Sequence, residues 1–179
     1  MQPLDLRQQI TEYLAYLRSE RGSSENTVAA YRRDLRQWIS ASADLSPDGV
    51  ERYLARLRSE RLSDASIARK RASLSSFCRY LVGESALAVN PVALVEGVTR
   101  PAFRLPHVLS KTQVARLLNA PSAKTDRGKR DRALMALMYA SGLRVSEVAT
   151  LRAGEVDLGK GFLRVRGKGG KERLVPVSE

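Results

Sequence analysis

A chain of 179 residues, 43% hydrophobic and 28% charged, has the makeup of a globular protein with a sizeable core, not of a disordered or fibrous one. Its 31 lysines and arginines against 19 acids leave a formal net charge of +12, which suits a polyanion partner, nucleic acid ahead of an anionic membrane surface. The longest wholly apolar run, Ala133 to Ala140, is too short to span a bilayer, and the opening residues lack a signal-peptide core. One cysteine, Cys78, excludes an internal disulfide or a cysteine-based zinc site and fits a reducing cytoplasm, the expected location.

In chain order, the first hundred residues predict four helices. Leu6, Ile10, Tyr13, Leu14 and Leu17 recur at spacings of three and four, and Gly22 stops that helix. Ser23 or Ser24 caps the second, whose apolar face is Val28, Tyr31, Leu35, Trp38 and Ile39. Ser46-Pro47 starts the third, with Val50, Tyr53, Leu54 and Leu57. Ser63 opens the fourth, with Ile67, Leu74, Phe77, Cys78 and Leu81 as its buried face. Four amphipathic helices on short connections make a small bundle.

Two of these helices are basic. The fourth carries Arg69, Lys70 and Arg71 in one turn among five serines, and the second carries Arg32, Arg33 and Arg36. Short hydroxyl side chains let a phosphate backbone approach while the cations supply charge, so these six are candidate DNA contacts. A solvated helix face is the plainer reading of the fourth-helix cluster alone.

Residues 90–107 change character: Asn90-Pro91, Gly97, Pro101 and Pro106 break any long helix, leaving a basic linker with one short helix over Val92 to Glu96. His107 ends the linker, and with no second histidine it is read as a linker or packing residue. Ser110 then caps a helix with Val114, Leu117 and Leu118 on one side. After the polar stretch Lys124 to Arg132, RALMALMYA is apolar nearly all round, which predicts a central, buried helix ended by Gly142. Residues 1–104 carry 16 basic and 12 acidic groups, and 105–179 carry 15 and 7, so most of the charge excess lies in the second part.

That part also holds the candidate chemistry. Gly142 permits a sharp turn, and Arg144 falls at the start of the next helix, with Val145, Val148 and Leu151 facing inward. Backbone amides and a guanidinium at one helix start form an anion site, and Glu147, three residues on, shares the face and can orient the arginine. The same spacing also describes an ordinary exposed Arg–Glu pair. Phe162 to Arg166 alternates as a strand, Gly167-Lys168-Gly169-Gly170 turns the chain, and Arg173 to Val177 returns; Val156 to Leu158 adds a short third strand. Lys168 rides the glycine-rich tip, and Lys171 is the hairpin's other lysine, a further candidate DNA contact.

GLRVSE followed by GKGGKERLVPV, with Arg144 and Lys168 at this separation, resembles the tyrosine recombinases of the phage integrase family, in particular the bacterial Xer group. LSDASIARKRASLSSFCRYL resembles the last long helix of the recombinase core-binding domain, departing from the commonest pattern at Ala72 and Ser75, where serine and arginine are expected. The resemblance implies a mainly α chain. A four-helix, SAM-like core-binding domain would occupy 1–89 and a linker 90–107. The first half of an α+β catalytic domain with a small antiparallel sheet would follow over 108–179.

It also implies a mechanism. A tyrosine hydroxyl attacks a phosphodiester of double-stranded DNA, giving a 3′-phosphotyrosyl link and a free 5′-hydroxyl, with no metal or other cofactor. Residue by residue, Arg144 matches the first catalytic arginine, Glu147 the acidic residue, and Lys168 the lysine that protonates the departing oxygen. No H-x-x-R is present, and all six tyrosines lie in predicted helices upstream of Lys168, so an inactive N-terminal portion of a larger recombinase is expected. A partner recombinase subunit in a tetrameric synapse is the implied assembly, with no membrane involved. Chromosome-dimer resolution is the Xer role; a phage or integron integrase, or a DNA-binding regulator that never cuts, would carry the same motifs.

Overall fold

The computed structural model describes residues 5–96, 108–157, 159–167 and 170–177. It divides into two compact units, Met1–Arg104 and Leu105–Glu179.

The first unit is a bundle of α1 (Leu6–Ser19), α2 (Glu25–Ala41), α3 (Pro47–Ser59) and α4 (Asp64–Gly83), closed by one turn of helix, α5 (Pro91–Leu94). Each start is set by a small side chain: Asp5, Ser24, Ser46, Ser63 and Asn90 accept hydrogen bonds from first-turn amides. Helix α4 packs against α1, α2, α3 and α5 and so forms the spine. Around it Trp38, Tyr13, Phe77, Leu35, Leu54 and Leu81 are fully buried, each contributing about 1.5–3 kcal/mol by removal from water. The Phe77 ring meets Tyr13 at 5.4 Å and Trp38 at 6.4 Å. Cys78 lies in the same core with no solvent exposure, and burial pushes its thiol up to about 12.

The short helix falls at Pro91–Leu94, slightly ahead of its expected place, because Asn90 caps it. Asn90 also donates to the carbonyl and hydroxyl of Ser75, at 3.1 Å each. Ser75, where the family pattern has arginine, thus binds α5 to α4. The rest of the linker, 97–107 with His107, lies outside the described residues.

The second unit contains α6 (Lys111–Asn119), α7 (Asp126–Ser141), α8 (Val145–Thr150), a 3-10 turn at Ala153–Glu155, and strands β1 (Val156–Asp157), β2 (Phe162–Arg166) and β3 (Glu172–Pro176). The sheet is antiparallel in the order β1-β2-β3, with Leu163 opposite Val175 and Val165 opposite Arg173. Leu163 and Val165 point into a small core with Leu143 and Val148, and Leu134, Leu137 and Met138 of α7 pack against it.

Two expectations are corrected here. Helix α7 is not buried: Gly128 is its one buried residue, Ala133 and Ala136 are exposed, and Tyr139 is 64% exposed. Among the described residues α6, the short helix α8 and the small sheet core pack against it, and they leave Ala133, Ala136 and Tyr139 open. Val145 does not face inward either, being 69% exposed; Leu143, just before the helix, fills that place.

Candidate active site and DNA-binding surface

Helix α7 ends at Gly142, whose φ of 62° and ψ of 27° are left-handed, and the chain turns directly into α8. Arg144 is the N-cap of α8 and Glu147 its third residue, whose carboxylate reaches back to cap the helix start. The Glu147 carboxylate accepts the Arg144 backbone N–H at 2.8 Å and one Arg144 guanidinium N–H at 3.2 Å. Glu147 is buried, with its side chain 5% exposed, whereas the Arg144 side chain is 74% exposed. The expected pair is therefore not an ordinary surface pair, because the carboxylate lies inside.

What makes that burial tolerable is a residue to which the sequence reading gave no role. Arg173 on β3 forks onto Glu147, Nη1 to Oε1 at 2.8 Å and Nη2 to Oε2 at 3.0 Å. These two bonds, with the Arg144 backbone amide, hold the Glu147 carboxyl down at about 2, while the same contact raises Arg173. No local pattern in the sequence marks it: Arg173 comes opposite the buried Val165 only once β3 has paired with β2.

The hairpin base sits over this ion pair. The Gly167 amide donates to the Lys171 carbonyl at 2.8 Å, and Gly170, at φ 76°, donates to the Gly167 carbonyl at 3.2 Å. A Cβ on Gly167 would stand 3.1 Å from the Arg173 guanidinium, so a bare glycine lets the strands close over it. Lys168 lies outside the described residues; Lys171 is exposed beside the turn. Arg152, Arg164 and Arg166 surround a hollow of about 150 Å³ next to Glu147, and Arg166 pairs with Glu172 at 2.9 Å.

In the bundle the six cations separate into groups. Lys70 is 6% exposed and bound to Asp34, at 3.1 Å, and to Gln37. Arg69 also pairs with Asp34, a carboxylate 2% exposed, while its own side chain is 41% exposed. Arg71 donates to the carbonyls of Val92 and Val95 at 3.0 and 3.1 Å, closing the end of α5. Arg33 is exposed and makes no ion pair or side-chain hydrogen bond among the described residues; Arg32 and Arg36 line a groove between α1 and α2 with Arg7 and Arg18, about 670 Å³ in volume. Asp34 was also missed, although one acid within the run Arg32 to Arg36, directly before the buried Leu35, was its mark in the sequence.

The profile for the phage integrase N-terminal SAM-like domain matches residues 10–85, and that for the phage integrase family matches 107–179. The chain belongs to the phage integrase family. It is 38% identical over 179 residues to the tyrosine recombinase XerD of Listeria monocytogenes serotype 4b (strain F2365), covering 95% of this chain and 60% of that protein. It is 36% identical to the tyrosine recombinase XerC of Herpetosiphon aurantiacus, covering 96% and 59%. The chain thus spans about three fifths of the length of these relatives. Among solved structures, the fold matches a lambda integrase (75-356) dimer bound to a COC′ core site with a TM-score of 0.72 at 22% identity, over 96% of this chain and 62% of that one. The Tn1549 transposon integrase in complex with a circular intermediate DNA matches at 0.67 and 15%, over 96% and 61%. The mainly helical, SAM-like first unit and the small antiparallel sheet of the second are those expected from the sequence.

Proposed function

We propose that this chain supplies the DNA-gripping bundle and the first part of the catalytic centre of a site-specific DNA recombinase. That enzyme cuts and rejoins double-stranded DNA through a 3′-phosphotyrosyl intermediate. The observation that carries the reading is Arg144: an exposed guanidinium held in place from behind by a buried carboxylate. Such a cation stabilises charge that builds on the non-bridging oxygens of a phosphorane. Lys168, in the glycine-flanked turn, donates the proton that the departing 5′ oxygen needs. Exposed Arg33, Arg36, Arg69 and Lys171, with half-buried Arg32, hold the duplex, whereas Lys70 and Arg71 hold the bundle.

None of the six tyrosines is the nucleophile in this reading. The described helices α1, α2, α3, α4 and α7 contain all of them, so the 179-residue chain by itself is expected to form no covalent DNA adduct. The biological role that fits the XerC and XerD relatives is resolution of chromosome dimers in the cytoplasm, by a tetramer of recombinase subunits on paired DNA sites.

The test uses a protein that joins this chain to the remaining length seen in its relatives, given a nicked suicide duplex. A covalent adduct is expected, and its absence would overturn the reading in favour of a DNA-binding protein that does not cut. Lys168→Ala should slow cleavage by about 10²–10⁴-fold with near-normal binding. Sulfur in place of the bridging 5′ oxygen should restore it, since a thiolate leaves without a proton. Arg144→Ala should show no such rescue.

A further inference from the structure

The Glu147 carboxylate has room for about four hydrogen bonds, and in this structure all four places are filled. Oε1 accepts from Arg173 Nη1 at 2.8 Å and Arg144 Nη1 at 3.2 Å; Oε2 accepts from Arg173 Nη2 at 3.0 Å and the Arg144 backbone amide at 2.8 Å. The two short side-chain bonds belong to Arg173, and Arg144 keeps a single longer one. The outcome is asymmetric: the Arg173 side chain is 41% exposed and that of Arg144 74%. Left alone with a buried carboxylate three residues away, the Arg144 guanidinium would fork onto it, as arginine does wherever geometry allows. Its charge would then be neutralised where a phosphate is meant to meet it.

We propose that Arg173 is a positioning residue: by occupying both oxygens of Glu147 it keeps the Arg144 guanidinium turned outward and free to take a phosphate. The inference rests on the proposed recombinase reading for the identity of that phosphate, but the competition between the two arginines is a property of this chain. Three groups, two positive and one negative, leave a net charge of +1, carried on the exposed arginine. Gly167 belongs to the same device. A Cβ there would stand 3.1 Å from Arg173 Nη1, so the guanidinium would have to give by a few tenths of an ångström at the end of its fork. Strand β3 thereby reports to α8: the guanidinium is seated only when β3 pairs with β2 in the register that sets Arg173 opposite Val165.

The experiment is dicarbonyl labelling of the 179-residue chain with phenylglyoxal, reading the rate at Arg144 by peptide mass spectrometry. Arg173→Ala should slow Arg144 labelling by about tenfold, the equilibrium cost of one charge-assisted bond. Glu147→Gln in the Arg173→Ala background should return it to near the starting rate, because no carboxylate remains to capture Arg144. Asp157→Asn in that background restores the same formal charge at a distance and should return nothing. Arg173→Lys, which offers one ammonium for two oxygens, should fall between, and it keeps the test decisive if Arg173→Ala loses the sheet's circular dichroism. A merely structural Arg173 predicts the opposite sign, since loosening α8 would speed labelling. Unchanged or faster labelling in Arg173→Ala and Arg173→Lys, or no recovery with Glu147→Gln, overturns the proposal. A missing DNA adduct in the longer protein overturns the recombinase reading instead and leaves the labelling pattern standing.

Discussion

Asp34 in the bundle and Glu147 in the second unit are both buried carboxylates holding two cations, at 2% and 6% exposure, yet they do opposite things with them. Asp34 draws charge inward, seating Lys70 in the core and tethering Arg69, whose side chain stays 41% exposed. Glu147 takes one arginine inward and thereby leaves the other outside. A cluster of basic residues in a sequence is therefore not yet a binding surface. Whether a given cation is spent on the fold depends on which carboxylate it meets across the packing interface, and such partners lie 26 to 36 residues away in this chain.

The strongest way to break the contrast is at Asp34. Asp34→Ala strands Lys70 in the core without a counter-ion and should cost about 3–5 kcal/mol in urea unfolding followed by Trp38 fluorescence. A loss within the ordinary surface range would show that Lys70 swings out freely and that the bundle does not spend it.

Acid sharpens the other half. With its folded carboxyl at about 2 against an ordinary 4.5, Glu147 contributes stability that is complete above 4.5 and falls away as the pH drops toward 2. The protection of the Leu163 and Val165 amides, taken against the intrinsic exchange rate at each pH, should fall through that window, and Glu147→Gln should flatten the response. An equally steep response in the variant would assign the acid sensitivity to other carboxylates.

Smaller effects are expected at the outward cations. Arg33→Ala and Lys171→Ala should each reduce the slope of log affinity for duplex DNA against log salt by about 0.9, the share of one phosphate contact. Smallest of all on DNA, Lys70→Met should change duplex affinity hardly at all, although it leaves the buried Asp34 with Arg69 and without Lys70 and so costs stability. A drop in affinity matching that of Arg33→Ala would put Lys70 back on the DNA.

The parts that were legible in the sequence are those encoded within one turn. Ser24, Ser46, Ser63 and Ser110 marked helix starts because a cap is a contact over three residues. Ends were harder. Helices α2, α3 and α4 stop with Ala43, Arg61 and Ser85 at φ of 53°, 57° and 58°, where a glycine would have announced the turn. They are held there by bonds such as Leu62 N–H to the Leu57 carbonyl and Ala86 N–H to the Leu81 carbonyl, which no side chain encodes. Arg144 and Glu147 were readable for the same local reason, three residues apart on one helix start. Arg173 was not, because its partner is reached only once β3 has paired with β2. The run RALMALMYA misled for a related cause: an apolar helix states that it needs cover but not how much its neighbours provide.

Cys78 gives the molecule a clock. It is the chain's one cysteine, has no exposed surface, and its thiol is pushed up to about 12, so in the folded bundle it is both out of reach and almost never a thiolate. A disulfide reagent in solution reacts with it only during the moments when the bundle opens. The labelling rate at Cys78 therefore counts those openings, one unit at a time, in a sample where the second unit stays chemically silent.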